Sequence, residues 1–113
     1  MGHWPVSDSP AVPLSAELAS TVAETLQALT SPSRLRILAR LTTGECSVSE
    51  LAEAVGMEQS AVSHQLRVLR SLGLVRGERS GRTVVYRLFD HHVATLLKEA
   101  TYHVEHWRLG IKD

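Results

Sequence analysis

The chain has 113 residues, 43% of them apolar and 21% charged, and its 12 basic and 12 acidic side chains balance. This length fits one small domain, and the apolar fraction is that of an ordinary globular protein, not a disordered or fibrous one. No apolar run approaches the roughly 20 residues of a membrane-spanning helix, and no signal-peptide pattern is present at the N-terminus. The single cysteine, Cys46, excludes an internal disulfide, so we expect a cytoplasmic protein without a membrane partner.

The charges are distributed unevenly along the chain. Residues 59–89 carry six arginines and one acidic residue, whereas residues 1–58 carry seven acidic residues and three arginines. Phosphates respond to the local electric field more than to net charge, so the basic segment predicts a nucleic-acid-binding surface. A solvated basic face is the alternative interpretation.

The N-terminal third predicts an arm followed by a helix. Residues 1–13 contain three prolines among small polar residues and are predicted to form a mobile arm ahead of one domain at 14–113. Residues 14–29 predict a helix with Leu18, Val22, Leu26 and Leu29 on one face, which makes it a candidate dimerisation element.

Two further helices are predicted from their capping residues. Ser31 and Pro32 are suited to the N-cap and first position of a helix that ends near residues 42–44. Ser47 and Glu50 have the spacing of a capping box, and Gly56 is suited to close the helix that follows.

A fourth helix is predicted from about Gln59 to Leu72, after a short turn that contains glycine. Two helices joined in this way form the helix-turn-helix pattern, in which the second helix enters the major groove of DNA. The candidate base- and phosphate-contacting residues on its outward face are Gln59, Ser60, Ser63, His64 and Arg67. Glutamine and arginine there read adenine and guanine edges; a plain polar face is the alternative.

A basic hairpin is predicted after that helix. Residues 74–76 and 83–88 are rich in β-branched side chains and predict two strands joined by a tip at residues 79–82. Arg79 and Arg82 at the tip are suited to contact phosphates or the minor groove, while Val84, Tyr86 and Leu88 are expected to face the core. The resulting fold class is mostly α-helical with a β-hairpin wing, a winged helix-turn-helix that dimerises through its terminal helices.

The last predicted helix runs from Asp90, a plausible N-cap, to about His106, with Gly110 just past its end. Its apolar stripe consists of Val93, Leu96, Leu97 and Ala100.

Four candidate metal ligands lie at the two ends of this helix: Asp90, His92, His103 and His106. His103 and His106 are three residues apart and share a helix face. His92 and His103 are separated by roughly 16 Å along the helix axis, whereas metal–ligand bonds are only about 2 Å long. A second, antiparallel copy of the helix would bring the two pairs together, so the spacing predicts a homodimer with two metal sites across its interface. Ordinary surface histidines are the alternative interpretation.

The chain resembles the ArsR/SmtB family of metal-responsive winged-helix repressors. The segments that carry the resemblance are SPSRLRIL, SVSELAEAVGMEQSAVSHQLRVLRSLGLV and GERSGRTVVYRL. The resemblance implies a homodimer that binds operator DNA without metal and releases it when metal binds, and it implies no catalysis and no small-molecule substrate. One class of family sites uses paired cysteines, and Ser47 and Ser49 occupy those positions here. The other class uses the D-x-H and H-x-x-H pattern of the last helix, which is intact.

The sequence leaves two choices of cognate metal, Zn(II) on one side and Ni(II) or Co(II) on the other. Three imidazoles and one carboxylate make a closed site suited to Zn(II), whereas Ni(II) and Co(II) prefer more ligands. After removal of Met1, the amine of Gly2 and the imidazole of His3 are adjacent donors that fit this need. The Met-Gly-His start, together with the helix-turn-helix block and the segment YHVEH, is similar to the nickel/cobalt-sensing branch, which favours Ni(II) or Co(II) over zinc.

Two other classes of function remain open at this point. A small metal-dependent hydrolase needs an open coordination position and a general base, and no HExxH-type arrangement is present. A winged-helix regulator without a metal, sensing redox state through Cys46 or binding a partner protein, is the third interpretation.

Overall fold

The computed structural model describes the backbone of residues 12–112 and the side-chain environment of residues 12–110. The elements in chain order are α1 (Ala16–Gln27), a 3₁₀ turn (Ala28–Thr30), α2 (Pro32–Leu41), β1 (Cys46–Ser47), α3 (Val48–Val55), α4 (Gln59–Ser71), β2 (Val75–Ser80), β3 (Thr83–Leu88) and α5 (His91–Lys112). The pair α3–α4 is the helix-turn-helix, and the hairpin β2–β3 is its wing.

The helices begin where the capping residues predict. The hydroxyl of Ser31 accepts the Arg34 backbone N–H at 3.3 Å, and Pro32 opens α2. Ser47 and Glu50 form a reciprocal capping box on α3, with the Ser47 backbone N–H donating to the carboxylate at 2.8 Å. Gly56 ends α3 at φ 69°, a left-handed conformation that glycine adopts at little cost. These caps define where α2 and α3 begin and where α3 ends.

The wing belongs to a three-stranded antiparallel sheet in the order β1-β3-β2. The short strand β1 was not predicted; it pairs Cys46 with Tyr86 and Ser47 with Val85. Two residues are too few to show an alternating pattern, so only the pairing with β3 reveals the strand.

The hairpin tip is shorter than predicted. β2 extends through Arg79 and Ser80, which pair with Val84 and Thr83, so the turn itself is Gly81–Arg82. Gly81 has φ 64°, as two-residue hairpin turns require. The prediction that placed Arg79 in the tip was therefore wrong, because the paired strands continue further than their β-branched residues indicate.

One apolar core is built from the 3₁₀ turn, α2, β1, α3, α4, β2 and the first turns of α5. Its fully buried side chains include Ile37, Leu38, Cys46, Leu51, Val62, Leu66, Leu69 and Val75. Tyr86 and Leu88 pack against this core as predicted, whereas Val84 is half-buried further along the wing, beside Gly77. Val93 and Leu97 attach the first turns of α5.

The last helix is longer than predicted. It continues through Gly110 to Lys112, because an isolated glycine inside a helix costs only about 1 kcal/mol relative to alanine and no proline follows. Within residues 12–112, no helix has both the length and the apolar character needed to cross a membrane.

Candidate metal centre and nucleic-acid interface

The predicted recognition residues lie along one helix, α4, whose inner face is anchored in the core by Val62, Leu66 and Leu69. Four of them are exposed, and Ser63 is half-buried; the exposed ones are Gln59, Ser60, His64 and Arg67. Anchored apolar residues at helical spacing therefore turn the polar ones toward solvent, as a helix that reads base edges requires.

The wing arginines have unequal surroundings. Arg79 and Arg82 are exposed, so their guanidinium groups are accessible to phosphates. Arg87 instead forms ion pairs with Glu45 at 2.9 Å and Glu78 at 2.7 Å. Its charge is compensated within the fold, so Arg87 belongs to the wing's own structure and contributes little to the basic field.

Arg76 lies against an aromatic ring: its guanidinium carbon is 5.3 Å from the centre of the Phe89 ring. This cation–π contact joins the start of the wing to the short segment between β3 and α5. The sequence could not indicate either arrangement, because both join residues that are far apart in the chain.

The front donor pair, Asp90 and His92, is in contact at the start of α5. Asp90 accepts the His92 backbone N–H at 2.9 Å, and its other carboxylate oxygen lies 3.3 Å from Nδ1 of His92. Partial desolvation, the largest single influence, raises the pKa of Asp90, but hydrogen bonds to His92 and the His92 charge outweigh it and lower the pKa overall. The carboxyl group is therefore ionised at neutral pH and available as a ligand.

The rear donor pair is exposed on the distal half of α5. His103 and His106 are three residues apart on one helix, so their side chains share a face. The ring of Tyr102 lies 5.3 Å from that of His106. Among the described residues, no group of three or more histidine, cysteine, aspartate or glutamate side chains converges to hold a metal ion. The two predicted donor pairs therefore lie at opposite ends of α5, and a single chain does not bring them together.

Apolar surface is left uncovered on both terminal helices. α1 buries none of its residues, and an open groove of about 420 Å³ between α2 and α5 is lined by Ala39, Leu97 and Tyr102 among others. The exposed large apolar residues of the two terminal helices are Leu18, Val22, Leu26, Leu96, Tyr102, Val104, Trp107 and Leu109. Exposed apolar side chains concentrated on two helices in this way indicate candidate interaction surfaces.

Three candidate residues remain, Cys46 and the predicted arm donors Gly2 and His3. Cys46 is 0% exposed in the core, and this burial raises the pKa of its thiol, a shift only partly opposed by Arg40. The predicted arm donors Gly2 and His3 lie outside the described residues.

The helix-turn-helix, its solvent-facing polar helix and the basic hairpin define a winged helix-turn-helix DNA-binding transcriptional regulator. The sequence profile of the bacterial regulatory proteins of the arsR family matches residues 31–76. The chain is 60% identical over 114 residues to the HTH-type transcriptional regulator NmtR of Mycobacterium tuberculosis. The alignment covers 100% of this chain and 95% of that protein. The chain belongs to the arsR family.

Other comparisons agree with this assignment. The solution structure of apo-NmtR superposes with a TM-score of 0.72 at 59% identity, covering 94% of this chain and 86% of that one. The homodimeric winged helix-turn-helix DNA-binding domain of a possible ArsR-family regulator from Mycobacterium bovis gives a TM-score of 0.76 at 33% identity, covering 86% and 90%. The transcriptional repressor SmtB homolog of Synechocystis sp. is 46% identical over 92 residues, covering 81% of this chain and 70% of that protein.

Proposed function

We propose that the protein is a metal-responsive transcriptional repressor, a homodimer that binds operator DNA without metal and is released by Ni(II) or Co(II). The observation that carries this proposal is the division of donors on α5. Asp90 and His92 are in contact at its start, while His103, the first residue of the other pair, lies roughly 16 Å beyond His92 at the helical rise of 1.5 Å per residue.

A second subunit supplies the missing half of each site. If the two α5 helices pack antiparallel, Asp90 and His92 of one subunit face His103 and His106 of the other, and two-fold symmetry generates two equivalent sites. The uncovered apolar faces of α1 and α5 support this arrangement, because they give the two chains a surface to bury. The homodimeric relative from Mycobacterium bovis has the same fold.

The DNA-binding state follows from the position of α4. A symmetric dimer presents two recognition helices, which bind successive major grooves when they are about 34 Å apart. Gln59 and Arg67 would contact base edges or phosphates, with Arg79 and Arg82 reaching the backbone beside them. A bound ion would bridge the two α5 helices and favour a dimer with a different spacing, at a coupling free energy of about 1–3 kcal/mol.

The donor set fits first-row transition metals and leaves the choice among them to additional ligands. Three imidazoles and one carboxylate complete a tetrahedral zinc site, whereas Ni(II) and Co(II) take further nitrogen or oxygen donors. Gly2 and His3 of the arm at 1–13 would provide them. The resemblance to the nickel/cobalt-sensing branch supports this assignment, with a zinc-responsive repressor as the alternative.

The test is a titration of Ni(II), Co(II) and Zn(II) into the apoprotein–operator complex, following the coordination spectra and DNA release together. We expect Ni(II) and Co(II) to give spectra of more than four ligands and to release the DNA, and His3→Ala to weaken the nickel response more than zinc binding. Release by zinc alone would favour the alternative, and no release by any metal would contradict the proposal.

The variant His103→Ala separates sensing from DNA binding. It removes one rear donor on the exposed face of α5 and leaves α4 and the wing unchanged. We expect operator affinity of the metal-free protein to remain and metal-induced release to disappear. Loss of DNA binding in the metal-free variant would count against the proposed site.

A further inference from the structure

One arginine connects three parts of the fold that the proposed function needs to move together. Nε of Arg34 donates to the side-chain oxygen of Gln65 on α4 at 2.6 Å. Nη1 of the same guanidinium donates to the backbone carbonyl of Ala28 at 3.4 Å. Ala28 opens the 3₁₀ turn that directly follows α1, and Arg34 itself lies in the first turn of α2.

Arg34 and its acceptor Ala28 both lie on backbone that is anchored in the core. α2 is anchored by Ile37, Leu38 and Leu41 in the core, and its first turn is capped by Ser31. Ala28 is buried as well, at 3% exposure. Arg34 and Gln65 are both half-buried, so their charge-assisted hydrogen bond is less weakened by water than an exposed one.

The two residues that accept hydrogen bonds from Arg34 lie in the two regions that the proposed mechanism couples, the subunit interface and the recognition helix. Ala28 is at the end of the helix whose exposed apolar face we assign to the subunit interface. Gln65 lies on the recognition helix between His64 and Arg67. Its side chain is half-buried and contacts Arg34 of α2. A planar guanidinium has donors in fixed directions, so a shift of the α1 end relative to α2 changes the geometry at Gln65.

We propose that Arg34 is a positioning residue that couples the arrangement of the two subunits to the orientation of α4, through its hydrogen bonds to Ala28 and Gln65. This inference rests on the proposed function, since it describes how dimer rearrangement reaches the DNA-binding surface. Arg34 touches neither the metal donors nor the residues assigned to base contact.

The experiment compares Arg34→Lys, Gln65→Met and Gln65→Glu in the full-length dimer. Lysine keeps the positive charge but lacks the fork that holds two acceptors, methionine removes the acceptor, and glutamate retains an oxygen for Arg34. For each variant, operator affinity is measured by fluorescence anisotropy with and without saturating Ni(II), and nickel affinity is measured without DNA. The ratio of the two operator affinities reports the coupling.

We expect Arg34→Lys and Gln65→Met to reduce this ratio at least about fivefold, a large share of a typical coupling factor, while nickel affinity without DNA and the melting temperature change little. Gln65→Glu should retain the ratio. The double variant with Arg34→Lys and Gln65→Met should reduce the ratio no further than either single variant, because both substitutions disrupt the same hydrogen bond. Arg40→Lys is the matched control, since Arg40 bonds Thr43 at the end of its own helix.

Two results would overturn the inference. The first is a wild-type ratio in both Arg34→Lys and Gln65→Met. The second is an equal loss of operator affinity with and without nickel, which would make Arg34 a structural or phosphate-contacting residue only. A wild-type protein whose DNA affinity does not respond to any of the three metals would instead refute the proposed function itself, and with it this coupling.

Discussion

Asp90 and His92 contact each other at the start of α5, with 3.3 Å between a carboxylate oxygen and Nδ1 of the imidazole. The same carboxylate accepts the His92 backbone N–H at 2.9 Å, so the hydrogen bond that caps the helix also sets the distance between two candidate ligands. Half of the proposed metal site is therefore already arranged by local chemistry. The other half, His103 and His106, is beyond the reach of this pair within one chain.

The recognition helix and the wing should contribute to DNA binding in different ways. Gln59→Ala removes a side chain suited to a base edge, so it should relax sequence preference at one position at a cost of about 1–3 kcal/mol. Arg82→Ala removes an exposed charge at the hairpin turn, so it should weaken binding to operator and unrelated duplex equally and reduce the salt slope by about one. Anisotropy titrations at several salt concentrations measure both. A sequence-selective loss in Arg82→Ala would contradict this assignment.

The exposed face of α1 should control the oligomeric state. Leu18 is 47% exposed in the single chain, so Leu18→Glu should leave the fold intact while placing a charge in the apolar subunit contact, where burying it unpaired is costly. Sedimentation velocity should show a larger monomer fraction for this variant. Ser20→Glu, on the opposite side of the same helix, is the control and should remain dimeric. Equal behaviour of the two variants would remove α1 from the interface.

The capping box of α3 should make stability depend on pH. Hydrogen bonds from Ser47, chiefly from its backbone N–H, lower the pKa of Glu50 in the folded state below its ordinary value. The ionised carboxylate therefore stabilises the fold above that value, and this contribution is lost as pH falls through the lowered pKa.

Glu50→Gln should consequently be less stable than the wild type near neutral pH, with a difference that shrinks in acid. Urea unfolding across a pH series measures it. Glu53→Gln, on the same helix but outside the capping box, controls for general loss of a carboxylate. A difference for Glu50→Gln that is constant with pH would show that the cap has no ionic component.

Cys46 should be unreactive in the folded protein. The residue is 0% exposed and burial raises the pKa of its thiol, so both access and thiolate formation are disfavoured. Alkylation by iodoacetamide at neutral pH should be at least about tenfold slower in the native protein than in urea, since it requires local opening. Rapid native labelling would revive the interpretation of a regulator that senses redox state through this cysteine.

The sequence predicted most of the helical fold because the relevant signals are local. Ser31, Ser47 and Gly56 mark helix ends within one or two residues of where α2 and α3 begin and end. The spacing of apolar residues in α4 correctly identified its buried face. The solvent-facing side then followed by exclusion, since a helix with one buried face turns the other toward solvent.

The features that the sequence did not predict depend on distant partners. β1 exists only through its pairing with β3, and Arg87 is compensated by two carboxylates from separate parts of the chain. The hydrogen bond between Arg34 and Gln65 joins residues 31 positions apart. No local pattern distinguishes these arginines from those that remain free to contact phosphates.

The central claim, that each metal site spans two subunits, is tested most directly with a mixed dimer. One subunit carries Asp90→Ala and His92→Ala, the other carries His103→Ala and His106→Ala, and differently tagged copies are co-purified. In an inter-subunit arrangement, one site of the mixed dimer keeps all four donors and the other loses all four. We predict that the mixed dimer binds one Ni(II) ion tightly while neither variant homodimer does, and absence of tight binding in the mixed dimer would contradict the account.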